Sequence, residues 1–553
     1  MNTLIKIFYT SFLIFIFIIN IPNNLLSQPV TEWVQRYNSP GNFNDDLIDM
    51  VLDKERNTYI TGNTGNPLDI LTLKYSNSGN LLWSRIYNGP ANRDDEAVKI
   101  AIDDSGFVYV AGKTFNTIDF TNYLLLKYSN SGNLIFVREY NYGDSTTEVP
   151  RDMVIDNNSN IIIAGDGGIC GLCPSDYLTV KYDKNGNVNW VRRYHGEGYF
   201  SNLGWTLALD NLGRVIVSGR SRNINNSAIT ATVIYDSSGK QLNVMLFDSS
   251  YVNSIKTDNY NNIYIGGFAK INNINNSDDI FITKYDSIGN FGWSVLFDSP
   301  NALMNHSEYL RDMRIDKESK NIYITGYGDF NGLAGWEYPL MKYKTDNGDS
   351  VWIKYYSPIV NSSSGAECIA IDKFNNTYIT GSSDYNTPYK RFLTVKYDSA
   401  GNFIWAANYL NILFFNNYGK RVLIDSTNSV FVGGTSYGPE SGSNDIVLIK
   451  YSQITNVESV SNLIPEKMEL FQNYPNPFNP ITNIQYQVIK AGIVKIKILN
   501  ILGKEIDVIV NESQQMGKYT SKWDGSKFSS GIYFYNLEFD GNIIDTKKLI
   551  LLK

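Results

Sequence analysis

Histidine and cysteine are nearly absent from this chain of 553 residues, which holds two of the first and three of the second. Three cysteines permit a disulfide in an oxidising compartment but supply no disulfide framework, so the core must hold itself by packing. With only His195 and His306 available, acid and base chemistry would fall to carboxylates. Neither a basic stripe nor a long acidic run is present: 48 Lys and Arg stand against 55 Asp and Glu, a balance that disfavours a nucleic-acid partner. Alanine is scarce while Asn, Ser, Gly and Tyr abound, which disfavours helices and favours strands joined by tight turns. The expected class is all-β.

One long apolar stretch exists, from Ile7 to Ile19 after Lys6, followed by a short polar stretch ending in "LLSQ". It is shorter than the roughly 20 apolar residues that a membrane span needs. No cysteine follows that could carry a lipid, so residues 1–27 read as a secretory signal peptide cut after Ser27, with a retained anchor as the competing reading. No other segment is apolar enough to span a bilayer, so no transmembrane segment is expected after cleavage. The remainder exceeds what one core serves, and several domains or a repeat array follow.

A repeat is what the chain contains. "KYSNSGNLLW" at Lys74 to Trp83 returns as "KYSNSGNLIF" at Lys127 to Phe136. The tyrosine of the "KY" pair recurs at Tyr75, Tyr128, Tyr182, Tyr235, Tyr285, Tyr343, Tyr397 and Tyr451, at intervals of 50 to 58 residues. Upstream, an apolar strand ends at Asp53, Asp103, Asp156, Asp210, Asp258, Asp316, Asp372 and Asp425. A second strand then stops at Gly62, Gly112, Gly165, Gly219, Gly267, Gly326, Gly381 and Gly434. With the "KY" strand and an aromatic strand after it, each unit holds four short strands, the period and content of propeller blades. In the hairpin between the third and fourth strands, Gly79 or Gly132 takes the positive-φ position.

The fourth strand carries Trp or Phe at 83, 136, 190, 293, 352 and 405, with Asn243 in the fourth unit, and an aromatic four positions later in every unit. These rings read as wedges between blades. The eighth unit lacks a fourth strand, whereas "EWVQRY" at Glu32 to Tyr37 stands alone with Trp33 and Tyr37 at the same spacing. The expectation is therefore an eight-bladed β-propeller over residues 28–452, closed by an N-terminal strand that removes the open sheet edge.

These repeats resemble the bacterial β-propeller repeat family usually described as seven-bladed, through "IDDSGFVYVAG" (Ile102 to Gly112) and "DIFITKYDSIGNFGW" (Asp279 to Trp293). The resemblance implies an exported, usually non-catalytic module with no ligand common to its members. The count here is one blade more than the family's name implies.

The second-to-third and inter-blade loops vary between units, so the face they share is the expected binding surface. Four residues before each Asp, near the start of the innermost strand, stand Asp49, Lys99, Asp152, Thr206, Ser254, Asp312, Cys368 and Arg421. Asp49, Lys99, Asp152, Asp312 and Arg421 are the candidate ligand residues at the channel mouth, against the plainer reading of solvated strand ends. "CGLC" places Cys170 and Cys173 in one loop, where a local disulfide is expected; zinc would need further ligands from among His195, His306 and Cys368. "GTSYG" (Gly434 to Gly438) imitates a nucleophile elbow, but it is the strand-terminal Gly column without a following helix. "DKNGNVN" (Asp183 to Asn189) imitates a calcium loop, yet Tyr194 stands where the twelfth-position Glu should be. Loop acids Asp45, Asp46, Asp94, Asp95 and Glu96 have no partner visible in sequence, and no catalytic residue, metal or cofactor is assigned.

After a linker at 453–467, "FQNYPNPFNP" (Phe471 to Pro480) opens a segment at 468–553 whose "VKIKIL" alternates strictly, the pattern of a small Ig-like β-sandwich of about seven strands. "NYPNPFNP", "LNILGKEI" (Leu499 to Ile506), "SSGIYFYNL" (Ser529 to Leu537) and the terminal "KKLILLK" closely resemble the type A C-terminal sorting domain of the type IX secretion system of Bacteroidetes. Pro475, Pro477, Gly503, Gly531, Tyr533, Lys547 and Lys548 occupy its motif positions. That resemblance implies recognition by the outer-membrane translocon and removal by its processing protease, leaving the propeller released or on surface glycolipid. Two functions remain: a non-catalytic module binding glycan or protein, or a polysaccharide lyase or hydrolase using loop carboxylates.

Overall fold

The computed structural model describes residues 29–453 and 467–553, apart from 116–119, 144–145, 170–173, 199, 249, 271–277, 298–306, 329–335, 359–361, 385–387, 411–414, 491 and 515–516. The signal-peptide segment, most of the linker, and both Cys170 and Cys173 lie outside the described residues. The chain divides into two compact units, Met1–Gln453 and Ile454–Lys553, and among the described residues every regular element is a strand.

The first unit consists of four-stranded antiparallel sheets, propeller-like in their repetition. In the first of them Asp46–Leu52, Thr58–Thr64, Asp69–Tyr75 and Leu81–Tyr87 pair in chain order. Six more sheets follow the same plan. The last joins Asn417–Ile424, Val430–Gly438 and Ser443–Ser452 to Val30–Tyr37 from the other end of the unit.

The recurring Asp closes the turn after each innermost strand. Its carboxylate accepts the amide four residues on in all eight repeats, at 2.7 to 3.0 Å. In Asp53, Asp103, Asp258 and Asp372 the second oxygen also takes the phenol of the tyrosine six residues later.

The recurring Gly does not end its strand, contrary to the sequence reading: Thr58–Thr64 continues past Gly62, and Val215–Arg222 past Gly219. Each innermost strand carries a bulge opposite that glycine, as between Leu47 and Asp49 or between Val252 and Ser254. The bulge pushes a carbonyl into the space a side chain would fill; a Cβ at any of the eight glycines would stand within 2.6 Å of that oxygen. Only glycine fits there.

Apolar burial is organised as wedges between neighbouring sheets. Tyr59, Ile70 and Trp83 of the first sheet pack with Ile100, Val108, Leu124 and Tyr128 of the second. Leu47, Met50, Leu71 and Tyr75 of the first pack with Tyr37, Phe431, Ile446 and Leu448 of the last. Trp83 rests on Gly132 of the next hairpin and donates its indole N–H to the Asn130 carbonyl at 3.0 Å. Trp190 does the same with Gly239 and Ser237 (3.1 Å), and Trp33 with Gly79 and Asn77 (3.2 Å). In the fourth sheet Asn243 takes the ring's place over Gly289 and donates to the Ile288 carbonyl at 3.1 Å.

The lysine of the "KY" pair crosses in the same direction. Lys127 reaches the Lys184 carbonyl (2.7 Å), Lys284 that of Thr345 (2.7 Å) and Lys450 the Asn77 side chain (2.9 Å). Lys396 finds no such hairpin beyond it and binds the Gln453 side chain instead.

The second unit holds two sheets. Glu469–Leu470, Ile481–Val488 and Gly517–Asp524 form one; Glu505–Gln514, Gly492–Leu499, Gly531–Phe539 and Asn542–Leu551 form the other. One core joins them, with Val494, Ile496 and Ile498 of the alternating strand packed beside Trp523, Tyr486 and Tyr535.

Candidate functional site

Because side chains alternate along a strand, the residue after each bulge and the one two positions later share a face. The eight residues read from the sequence all occupy the position after the bulge. Five of them form one chain of contacts across neighbouring sheets. Arg421 donates to Asp49 at 2.8 Å; Lys99 lies 3.5 Å from Asp49 and 3.8 Å from Asp152; Thr206 donates to Asp152 at 3.2 Å. The three aspartates also take backbone amides from the following sheet: Asp49 that of Ile100 (3.3 Å), Asp152 that of Leu207 (3.1 Å), Asp312 that of Ile369 (3.2 Å). Burial works against the Asp49 charge, but Lys99 and Arg421 outweigh it and hold its carboxyl below the usual range. Asp49 in turn raises the Lys99 ammonium, over the opposing effect of burial.

Two cations in the next tier escaped sequence reasoning. At the position two residues on, Val51, Ala101, Val154, Ala208, Ala370 and Leu423 are apolar, whereas the fifth and sixth sheets place Lys256 and Arg314 there. Arg314 donates to Asp312 at 2.7 Å. Lys256 donates to Ser254 (3.2 Å) and to the Ile255 carbonyl (3.1 Å), and among the described residues it has no carboxylate in ion-pair reach. Burial, helped by Arg314, brings its pKa down to about 8. The period of two along the innermost strand was the signal that could have found this pair. Cys368 is buried and its thiol is pushed up by that burial.

The loop acids are all engaged. Asp45, fully buried, accepts the Ser39 amide at 2.6 Å, and Asp95, also buried, accepts that of Gly89. Burial raises both carboxyls. Asp46 pairs with Lys420 (2.6 Å), Glu96 with Lys113 (2.8 Å), and Asp94 takes the Leu68 amide (2.9 Å). His195 lies with Nδ1 2.6 Å from Asp176, which Arg193 also contacts. Among the described residues no group of three or more His, Cys, Asp or Glu is placed to hold a metal ion.

A cleft of about 370 Å³ opens across the fourth, fifth and sixth sheets. Trp205, Arg220, Tyr251, Phe268, Tyr309 and Tyr327 line it. Tyr251 stands opposite Phe268 and Tyr309 opposite Tyr327, cross-strand pairs beside the bulge at positions occupied elsewhere by Asp46 and Asn63 or Glu96 and Lys113, while Arg220 stands opposite Leu203 and Trp205 is the bulge residue itself. Non-repeating positions within a repeat were the signal here.

In the second unit the motif segments meet. Tyr535 donates to the Phe471 carbonyl and receives the Asn473 amide, both at 2.7 Å, which ties "NYPNPFNP" to "SSGIYFYNL". Asn476 accepts the Ile550 amide at 2.9 Å, and Phe478 exchanges backbone bonds of 3.0 Å with Ile550 and Leu552, which ties it to the terminal strand. Pro475 offers its carbonyl to Thr482 (2.8 Å); the Asn476–Pro477 bond, like Tyr474–Pro475, is cis. Gly503 turns the Asn500–Lys504 hairpin with φ of 74°, Gly531 opens its strand, Tyr533 donates to the Ser529 carbonyl (2.7 Å), Lys547 pairs with Asp545 (3.1 Å), and Lys548 is exposed.

Parts of this chain are similar to several known proteins and families. An uncharacterized WD repeat-containing protein of Acanthamoeba polyphaga mimivirus is 24% identical over 430 residues, a match that covers 56% of this chain and 30% of that protein. Among solved structures, the Dos1 propeller aligns with a TM-score of 0.48 and 9% identity over 77% of this chain and 96% of its own. PorZ of Porphyromonas gingivalis, described as an essential bacterial surface component of the type-IX secretion system, aligns with a TM-score of 0.32 and 11% identity over 92% of this chain and 81% of its own. The chain carries a match to the beta-propeller repeat family at residues 82–117 and to the secretion system C-terminal sorting domain family at residues 472–552.

Proposed function

We propose that this is an exported eight-bladed propeller, residues 28–452, closed by its N-terminal strand and delivered by type IX secretion through an Ig-like sandwich at 468–553. The pairing of Val30–Tyr37 with Ser443–Ser452 supports the closure, and the match at 472–552 carries the export reading. The propeller acts as a binding or structural module at the cell surface or in the medium, and the translocon with its processing protease are the partners of the tail. Each of Asp45, Asp46, Asp94, Asp95 and Glu96 holds a structural partner, which favours binding over catalysis, since a general acid or base must be free to exchange a proton with substrate.

Deleting residues 468–553 should trap the protein in the periplasm, and unchanged export overturns the sorting assignment. A glycan array run beside a turnover screen should give binding without cleavage. Bond cleavage lost on Asp49→Asn or Asp152→Asn would favour a lyase or hydrolase instead.

A further inference from the structure

We propose that the cleft across the fourth to sixth sheets is the ligand site of the propeller, and that its ligand is an acidic oligosaccharide bearing carboxylate or sulfate groups. This rests on the reading of the propeller as a binding module and goes further by naming the site and the chemistry.

The cleft holds a continuous row of rings. Tyr251 stacks on Phe268 with centroids 5.1 Å apart, Phe268 meets Tyr309 edge-on at 4.9 Å, and Tyr309 lies 5.2 Å from Tyr327; beyond the lining, Trp336 stacks on Tyr327 at 4.9 Å. Trp205, which lines the cleft, is 42% exposed and so leaves much of its ring to a ligand. Such rings offer flat apolar faces to the C–H faces of sugar rings.

Guanidinium groups border the row. Arg151 lies 4.8 Å from the Trp205 ring, Arg220 4.8 Å from Tyr251, and Arg311 4.9 Å from Tyr327. Arg151 is neutralised by Asp166 at 2.9 Å, and Arg311 faces Glu367 at 3.6 Å. Arg220 has no carboxylate within ion-pair distance among the described residues, so the cleft presents a planar, fixed cation beside stacked rings. A guanidinium fork matches a carboxylate or a sulfate with paired N–H donors. Neutral sugars would leave that cation unanswered. An acidic peptide would also seek partners for its main chain, and among the described residues Asn253 is the one uncharged amide side chain lining the cleft.

The test uses the purified full chain in calorimetric titrations with tetragalacturonate, a sulfated carrageenan tetrasaccharide, neutral cellotetraose and poly-glutamate. Binding is expected for at least one acidic glycan, weakened at least tenfold in Trp205→Ala and Arg220→Gln, partly restored in Arg220→Lys, and unchanged in Lys54→Gln. Thermal unfolding checks that each variant is folded. Which acidic glycan binds distinguishes carboxylate from sulfate. Equal affinity in Trp205→Ala and Arg220→Gln overturns the site while leaving the binding-module reading intact, and cleavage of a probe overturns that reading itself. Preference for poly-glutamate or cellotetraose, or no binding at all by the folded protein, overturns the ligand class.

Discussion

Trp33 donates its indole N–H to the carbonyl of Asn77 at 3.2 Å and seats its ring on Gly79. Trp83 makes the same contact with Asn130 and Gly132 inside the repeat, so the joint between the two ends copies the joint between consecutive units. Removing the ring should therefore open the seam. Trp33→Ala is expected to cost about 2–3 kcal/mol, below the loss typical of a fully buried ring because Trp33 is only half-buried. Urea unfolding measures the cost; a variant as stable as the parent would show that the seam contributes nothing.

Asp49 answers two cations and one amide with a side chain that is 7% exposed. Asp49→Asn should destabilise the first unit by roughly 1.5–3 kcal/mol at pH 7, the range for hydrogen bonds to charged groups. Its folded carboxyl titrates below the usual value of 3.8, so the stabilisation is present above that pH and fades as pH falls through the folded value. Unfolding of parent and variant should converge in strong acid.

Lys256 offers the opposite sign. The unfolded chain keeps this ammonium up to its ordinary 10.5, whereas the folded protein releases the proton near about 8. Stability attributable to this group thus rises with pH between those values, and the cost is fully in place below pH 8. Lys256→Met should stabilise the protein by roughly 1–2 kcal/mol at pH 7, less than the whole shift because the amine is partly exposed. The gain should vanish above pH 10.5, which thermal melts across pH will show.

Tyr535→Phe removes a hydroxyl that satisfies Phe471 and Asn473 together. One buried and one partly buried backbone group lose their partner, and the second unit should lose about 1–3 kcal/mol while the first keeps its own unfolding transition. Separate denaturation transitions read by Trp523 and propeller fluorescence would check this.

Much of the fold was legible because it repeats. Columns of Asp, Gly and Lys-Tyr set the strands, and the spacing of Trp33 and Tyr37 identified the stray strand that pairs with Ser443–Ser452. The glycine column was misread as a strand end, since a bulge lies in the relation between two strands and neither strand's own pattern displays it. The position after the bulge was found by its recurrence, but its neighbours Lys256 and Arg314 stand alone in a tier of Val, Ala and Leu. The cleft was invisible for a related reason: Trp205, Arg220 and Phe268 occupy columns with no common residue type, and only folding shows that the fourth to sixth units bring such side chains together.

The strand Ser443–Ser452 is the last strand of the first unit in chain order, and it is gripped on one side by Val430–Gly438 and on the other by Val30–Tyr37. Antiparallel bonds lie across the strand direction. Tension drawn along this strand meets both ladders in shear, so their bonds resist as a group and do not peel one after another. The splice is thereby suited to carry load.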